Sequence, residues 1–527
     1  QLARPRRDAR GGSQGGTVNG ALGPDQGSPR RGLITVSIML ATVMQALDTT
    51  IANVALPHMQ GSFSASQDQI AWVLTSYIVA AAIMTPPTGV LAARLGRKRL
   101  FLWAVGGFTV ASMLCGAATS LNELVVFRLL QGVFGAGLVP LSQAVLLDTY
   151  PPEQHGSAMA LWGVGVMVGP ILGPTLGGWL TDSYSWRWVF YINMPFGLLA
   201  LLGILAFVPE TERDRFRPFD LFGFALLSLA IGALQLMLDR GELKDWFGSG
   251  EILIYAALAG LGLYMFVVHM LTAERPFLDP ALFRDRNLCM GLFFIFVVGI
   301  VLLATLALMP PFLQDLMGYP VLTTGLVLAP RGVGTMVAMI LVGRLIGRMD
   351  ARAFIVLGLL LTAESLWAMA GFTTEVGLWL IVRTGITQGL GLGFIFVPLS
   401  TLTFATLPAR LRTEAAGLFS LMRNIGSSIG ISIVVTLLAR NTQINHSVLA
   451  EHISPLNPLL HGVLPPGWSL DSVQGLAAIN AEVTRQAATI AYLDDFRLMM
   501  YVMLAALPLV MALRRPPTPR SMQVASG

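Results

Sequence analysis

Of 527 residues, 54% are hydrophobic and only 12% are charged, and the mean hydropathy is +0.68. A soluble chain of this size carries roughly twice that share of charge, which excludes a soluble globular protein. The net charge of +5 is modest, and no nucleic-acid partner is expected. Two cysteines, Cys115 and Cys289, fall within or beside apolar runs and read as small core residues rather than a disulfide or metal site.

Residues 1–32, dominated by Gly, Pro, Arg and Ser, cannot bury a core and are expected to form a disordered tail. The first apolar run is long and lacks a small-residue exit, so no cleaved signal peptide is expected. Apolar spans follow near 33–56, 70–92, 100–119, 122–147, 158–180, 188–208, 220–238, 251–271, 288–311, 323–345, 354–372, 378–402, 414–439 and 494–513. Each can cross a hydrocarbon core about 30 Å thick, so the fold class is an all-α polytopic membrane protein of fourteen transmembrane helices.

Clusters such as Arg94, Arg97, Lys98 and Arg99, then Arg213, Arg215 and Arg217, then Arg275, Arg284 and Arg286, and finally Arg514 and Arg515 all fall on one side if both termini share it. The positive-inside rule makes that side cytoplasmic. The long loop 440–493 then faces outward, and its later part, AINAEVTRQAATIAYLDDF, looks helical.

The chain repeats itself. QGVFGAGLVPLS (131–142) returns as QGLGLGFIFVPLS (388–400), and GVLAARLGRKR (89–99) is echoed by GRLIGRMDAR (343–352) at nearly the same offset. A duplicated six-helix unit accounts for this, with bundles at 33–208 and 288–513, an inserted two-helix region at 209–287 and a C-terminal tail at 514–527. The inserted helices carry almost no mid-span charge and are expected to lie outside the transport path.

Within the first span, Asp48 ends the greasy run LITVSIMLATVMQALD. A mid-helix acid costs roughly 2.5–3.5 kcal/mol on insertion scales, which the preceding apolar residues offset, and its carboxylate must face the protein interior. Gln45, Asp48, Thr49 and Asn53 share one arc of the helix, and with Gln131 they are candidate walls of a substrate cavity. Arg128 opens the fourth span at matched depth, ~9 Å below the outer end against ~12 Å for Asp48. A structural ion pair and a proton-linked switch are both open readings of this pair. Glu364 and Arg423 restate the problem in the second bundle, again at matched depth, as a structural pair or a second proton site. Arg383, near an outer helix end, is expected to snorkel.

The fifth span reads GVGVMVGPILGPTLGG (163–178). Gly165, Gly169, Gly173 and Gly177 form one smooth face, while Pro170 and Pro174 each remove a backbone hydrogen bond. Dense packing alone or a sliding helix would use such a face. The basic loop after the second span is a topology signal and a contact for anionic membrane lipid.

These motifs resemble the major facilitator superfamily, and within it the fourteen-helix drug:proton antiporters of the EmrB/QacA type. LDTTIANVALP (47–57) is similar to their first-helix motif, FRLLQG (127–132) to the fourth-helix motif, and GVGVMVGPILGPTLGG to the antiporter signature. WRWVFYINMPFG (186–197), LQLMLDRGELKDWF (234–247) and AEVTRQAATIAYLDDF (481–496) resemble the EmrB branch. The likeness spans about residues 35–513. It implies a latch role for Gly89, Arg94, Gly96 and Arg97, although Ala93 stands where such loops usually carry an acid.

The resemblance also implies a proton-driven inner-membrane exporter of amphipathic compounds. A periplasmic adaptor and an outer-membrane channel would be its partners, the adaptor docking on loop 440–493. Exchange with protons agrees with the absence of any nucleotide-binding or hydrolase motif, and no cofactor is expected. An exporter of a metabolite, siderophore or lipid precursor is the alternative. An integral-membrane enzyme would need a nucleophile or His–Asp pair near an interface, and the sequence offers none.

Overall fold

In the computed structural model, which describes residues 28–211, 219–346, 348–408, 411–454, 468, 470 and 472–514, each apolar run is helical and no strand occurs among the described residues. The first half comprises α1 (Ser28–Phe63), α2 (Gln67–Met84), α3 (Thr88–Leu95), α4 (Arg97–Ala117), α5 (Leu121–Gly135), α6 (Leu138–Thr149), α7 (His155–Ser183), α8 (Trp188–Tyr191) and α9 (Asn193–Phe207). An inserted pair follows, α10 (Leu221–Arg240) and α11 (Gly250–Thr272). The second half is α12 (Arg286–Pro311), α13 (Val321–Leu345), α14 (Ala351–Met369), α15 (Leu378–Ala405), α16 (Arg412–Glu451) and α17 (Val473–Ala506).

Thirteen spans are long and apolar enough to cross a membrane, and α2 with α3 makes a fourteenth that bends by 58°. Pro86 and Pro87 occupy that bend, where neither can donate a backbone hydrogen bond. The two halves use the same neighbours: α1 packs on α7 as α12 packs on α16, α2 on α5 as α13 on α15, and α4 on α9 as α14 on α17. This is the duplication read from the motifs, now in three dimensions.

The halves meet along α7 against α13, and along α3 and α6 against α16. The inserted α10 wedges between α2 of one half and α16 of the other. Asp239 accepts a hydrogen bond from Thr75, the Arg240 guanidinium lies 5.1 Å from the Trp72 ring, and Gln235 donates to Ser428 at 2.8 Å. Outside it, α11 leaves Leu253, Ile254, Leu261 and Tyr264 exposed, as a lipid-facing helix requires.

One sequence expectation is corrected here. Most of 440–493 is not loop: α16 runs on to Glu451 and α17 starts at Val473. At 40 and 34 residues these helices are about 60 and 51 Å long, well beyond a 30 Å hydrocarbon core. They stay paired beyond it, with Asn445 donating to the Ala487 carbonyl at 3.5 Å and His446 Nε2 3.0 Å from Asn480 Oδ1. The polar composition of 440–493 ended the hydropathy signal without ending the helices. Likewise α1 starts at Ser28, inside the stretch expected as tail. The rest of that tail, Arg213, Arg215, Arg217, Arg410, residues 455–467 and 515–527 lie outside the described residues.

Candidate functional site

Asp48 is 0% exposed and Arg128 only 1%. Arg128 Nη1 donates to Asp48 Oδ2 at 2.8 Å, so the two residues set at matched depth by the sequence touch. Asp48 Oδ1 accepts from Gln131 Nε2 and from Asn193 Nδ2, each at 2.8 Å. Arg128 is held in turn by the Gln131 carbonyl oxygen at 2.7 Å and the Val73 backbone carbonyl at 3.2 Å. Its guanidinium lies 4.4 Å from the Tyr77 ring centroid and 5.6 Å from that of Phe190.

Asn193 also donates to Ser112 at 2.9 Å, which donates to the Phe190 carbonyl. Residues from α1, α2, α4, α5, α8 and α9 thus close on one carboxylate. A buried pair this well satisfied repays its desolvation, and removing one member would strand the other.

The expected cavity stripe is therefore split. Asp48 points into this sealed node, and Gln131 belongs to it rather than to a cavity wall. Gln45 and Thr49 are half-buried and Asn53 is exposed. At 100° per residue the four positions cover an arc of about 140°, wide enough to hold both a bundle-facing and a solvent-facing residue. Sequence reasoning missed Asn193, Ser112 and Tyr77. The usable signal was a lone Asn in the apolar run INMPFGLLALLGILAF, costly in lipid unless bonded.

The glycine face of α7 lies on α1. A Cβ at Gly169 would fall 2.8 Å from the Ala46 Cβ, one at Gly173 2.8 Å from the Thr50 Cβ, and one at Gly177 2.8 Å from Ile51 Cγ1. Gly165 opposes Met39, and Thr50 Oγ1 donates to the Gly169 carbonyl at 3.0 Å. Pro170 and Pro174 stand inside the helix between these contacts. The other side of α7 meets the opposite half, where Gly163 abuts Met339 and Ile171 fills the space over Gly332.

At the basic end, Gly96 takes φ +89°, a conformation that favours glycine, and so breaks α3 from α4. Arg97, next in sequence, ion-pairs with Asp148 of α6, and Arg412 of the second half reaches the same acid at 3.5 Å. Gly89 lets α3 approach α16: a Cβ there would sit 2.7 Å from Glu414 Cα. Ser157 donates to the Gly343 carbonyl at 2.8 Å, another bond between halves. Arg94 is exposed and takes no part in these contacts.

Residues 38–431 match the Major Facilitator Superfamily. The chain belongs to that superfamily. It is 36% identical over 489 residues to the multidrug export protein EmrB of Escherichia coli K12, covering 92% of this chain and 95% of that one. It is also 37% identical over 487 residues to the fatty acid resistance protein FarB of Neisseria gonorrhoeae, covering 92% and 96%. The solved proton:xylose symporter XylE superposes with a TM-score of 0.59 at 14% identity, covering 91% of this chain and 96% of that one, which shows the fold. The chain is an EmrB-like member of the superfamily, a multi-pass membrane transporter and not an enzyme.

In the second superfamily repeat, Glu364 and Arg423 do not pair. Glu364 is half exposed and lies 3.6 Å from Arg383, itself 52% exposed. Equal depth on two helices left their rotation open, and the 3.6-residue period turns Glu364 toward α15 instead. Arg383, expected merely to snorkel, is that acid's partner. Arg423 is half-buried on α16. In place of the expected pair, Gln388 donates to Thr305 at 3.2 Å, and Thr305 lies 3.7 Å from the Met499 sulfur.

Proposed function

We propose that this protein exports amphipathic, mainly apolar compounds across the bacterial inner membrane in exchange for protons, with both termini cytoplasmic. The observation that carries the reading is the Asp48–Arg128 pair, fully buried within the first bundle and satisfied by Gln131 and Asn193. Deprotonated, Asp48 holds α1, α5 and α9 together. Protonated, it loses most of its attraction for Arg128, and the bundle is released to re-orient.

Ala46, two residues away on α1, rests on Gly169, so loosening the node frees the α1–α7 contact on which the halves rock. The basic end is closed in this structure by Arg97, Asp148 and Arg412, which supports access from the opposite side in this state. One charge falling through ~100 mV supplies about 2.3 kcal/mol. That sustains roughly a 50-fold gradient of a neutral compound, at about 1.4 kcal/mol per tenfold.

The name of the EmrB relative favours drugs as cargo, and the paired extension of α16 and α17 favours docking of a periplasmic adaptor leading to an outer-membrane channel. A second reading, export of a defined metabolite, is favoured by the FarB relative, named for fatty acid resistance. The deciding experiment measures drug-induced proton release from purified protein, wild type against Asp48→Asn. Release that survives the substitution overturns Asp48 as the coupling acid.

A further inference from the structure

The two repeats differ most where the first is most charged. The spacing that carries Gln131 onto Gln388 carries Asp48 onto Thr305 and Arg128 onto Gly385. The spacing that carries Gly89 onto Gly343 carries Tyr77 onto Arg331. The contacts follow this correspondence: Gln131 bonds Asp48, and Gln388 bonds Thr305. In the first half Arg128 covers Tyr77; in the second, Arg331 extends beside Gly385, its Cβ 3.7 Å from where a Cβ of Gly385 would lie. The acid has become a threonine, and the arginine has moved from the fourth helix of the repeat to the second.

Arg331 is 8% exposed and sits on α13 next to Pro330. Its Nη2 donates to the Leu302 carbonyl at 3.3 Å, and among the described residues no carboxylate lies within ion-pair distance. Leu302 stands halfway along Arg286–Leu316, so the guanidinium meets α12 near the membrane midplane. One turn away on the same helix, Gly299 packs against the backbone carbonyl of Arg423. Helices α13 and α16 thus both meet α12 at this level. Glu364 is engaged with Arg383 and exposed. A guanidinium at this depth costs several kcal/mol unless something neutralises it.

We propose that Arg331 is the anion subsite of the second half, taking the carboxylate of an amphipathic organic anion. A guanidinium offers parallel N–H donors that fit a carboxylate two at a time, and it keeps its charge in apolar surroundings. Leu302 of α12, half-buried at this level, is apolar and suits the rest of such a molecule. The first half then holds the proton and the second half the anionic head group. This rests on the export reading above and narrows its substrate class.

The test is calorimetric titration of the full chain in zwitterionic-lipid nanodiscs with 1-naphthoate, its uncharged isostere 1-naphthamide, and tetraphenylphosphonium. Wild type is expected to prefer the carboxylate to the amide at least tenfold. Arg331→Gln should abolish that preference while leaving amide affinity within about twofold, and Arg331→Lys should retain part of it. Equal affinity for carboxylate and amide in wild type, or a preference unchanged in Arg331→Gln, overturns the subsite. So does loss of both ligands in Arg331→Gln and Arg331→Lys together, since that marks a purely structural arginine. Tetraphenylphosphonium separates the two levels of the argument. If it binds and the carboxylate does not, only the anion subsite fails; if none of the three binds or is transported, the export reading fails with it.

Discussion

Gly169 of α7 sits against Ala46 of α1 so closely that a Cβ would come within 2.8 Å of the Ala46 Cβ, two residues from the buried Asp48. Nothing larger than hydrogen fits unless the helices separate. Gly169→Ala is expected to cost about 1–3 kcal/mol of stability through overpacking, and to reduce export further than that loss explains. Gly178→Ala, with nothing within 4 Å of the new methyl, should leave both unchanged. Thermal unfolding and vesicle efflux of the two variants check the contrast.

Asp48→Asn keeps size and most hydrogen bonding but cannot titrate. It is expected to insert and fold yet release no protons on drug addition, while Asp48→Glu retains partial coupling. Arg128→Ala strands a buried carboxylate, a loss on the order of 3–5 kcal/mol. Any residual activity should show a changed pH optimum, because Asp48 has lost its main charged partner. Asn193→Ala removes one of the three hydrogen bonds to Asp48 and should change the profile by a smaller amount. The pH profile of efflux in Arg128→Ala and Asn193→Ala, beside drug-induced proton release in Asp48→Asn and Asp48→Glu, is the measurement.

Asp148 is shared by Arg97 and Arg412, which belong to different halves. Asp148→Asn is expected to loosen the basic end without unfolding the bundle. A cysteine placed at Ser157, whose hydroxyl bonds Gly343 across the interface, should then label several-fold faster with a charged thiol reagent reaching that end. Gly96→Ala should destabilise by about 1–3 kcal/mol, because φ +89° is strained for any side chain.

Cysteines at Leu227 and Ala259 test the inserted pair. Leu227 is buried on α10, and α11 presents apolar residues to lipid, so neither should give substrate-protectable labelling by a water-soluble thiol reagent. Gln235→Ala should reduce export modestly by removing the bond from α10 to Ser428.

Shortening both helices of the α16–α17 extension by equal numbers of turns should abolish resistance in cells while sparing proton-driven uptake in inverted vesicles. Equal losses in both assays would remove the adaptor from the account.

Helix number, the duplication and the Asp48–Arg128 depth were legible because hydropathy, repeated motifs and helical rise each report one dimension directly. Rotation about the helix axis was not. Glu364 and Arg423 agree in depth yet face different neighbours, and Gln131 proved to be node rather than cavity wall. Asn193 carries no charge to pair by depth with Arg128, and Arg331 has no acid at its level in the second half. The polar part of α17 was legible as helix in AINAEVTRQAATIAYLDDF, but the continuation of α16 was hidden by its polar sequence, since hydropathy reports the lipid boundary and not the end of a helix.

Those two long helices act as levers. A helix pair standing clear of the lipid turns with the bundle that roots it, and a tilt of about 10° at the membrane moves a point 30 Å farther along the rods by roughly 5 Å. Each cycle of the second half is thereby written as a stroke at the tips. Anything seated there would be pushed in step with transport, with no contact to the cargo at all.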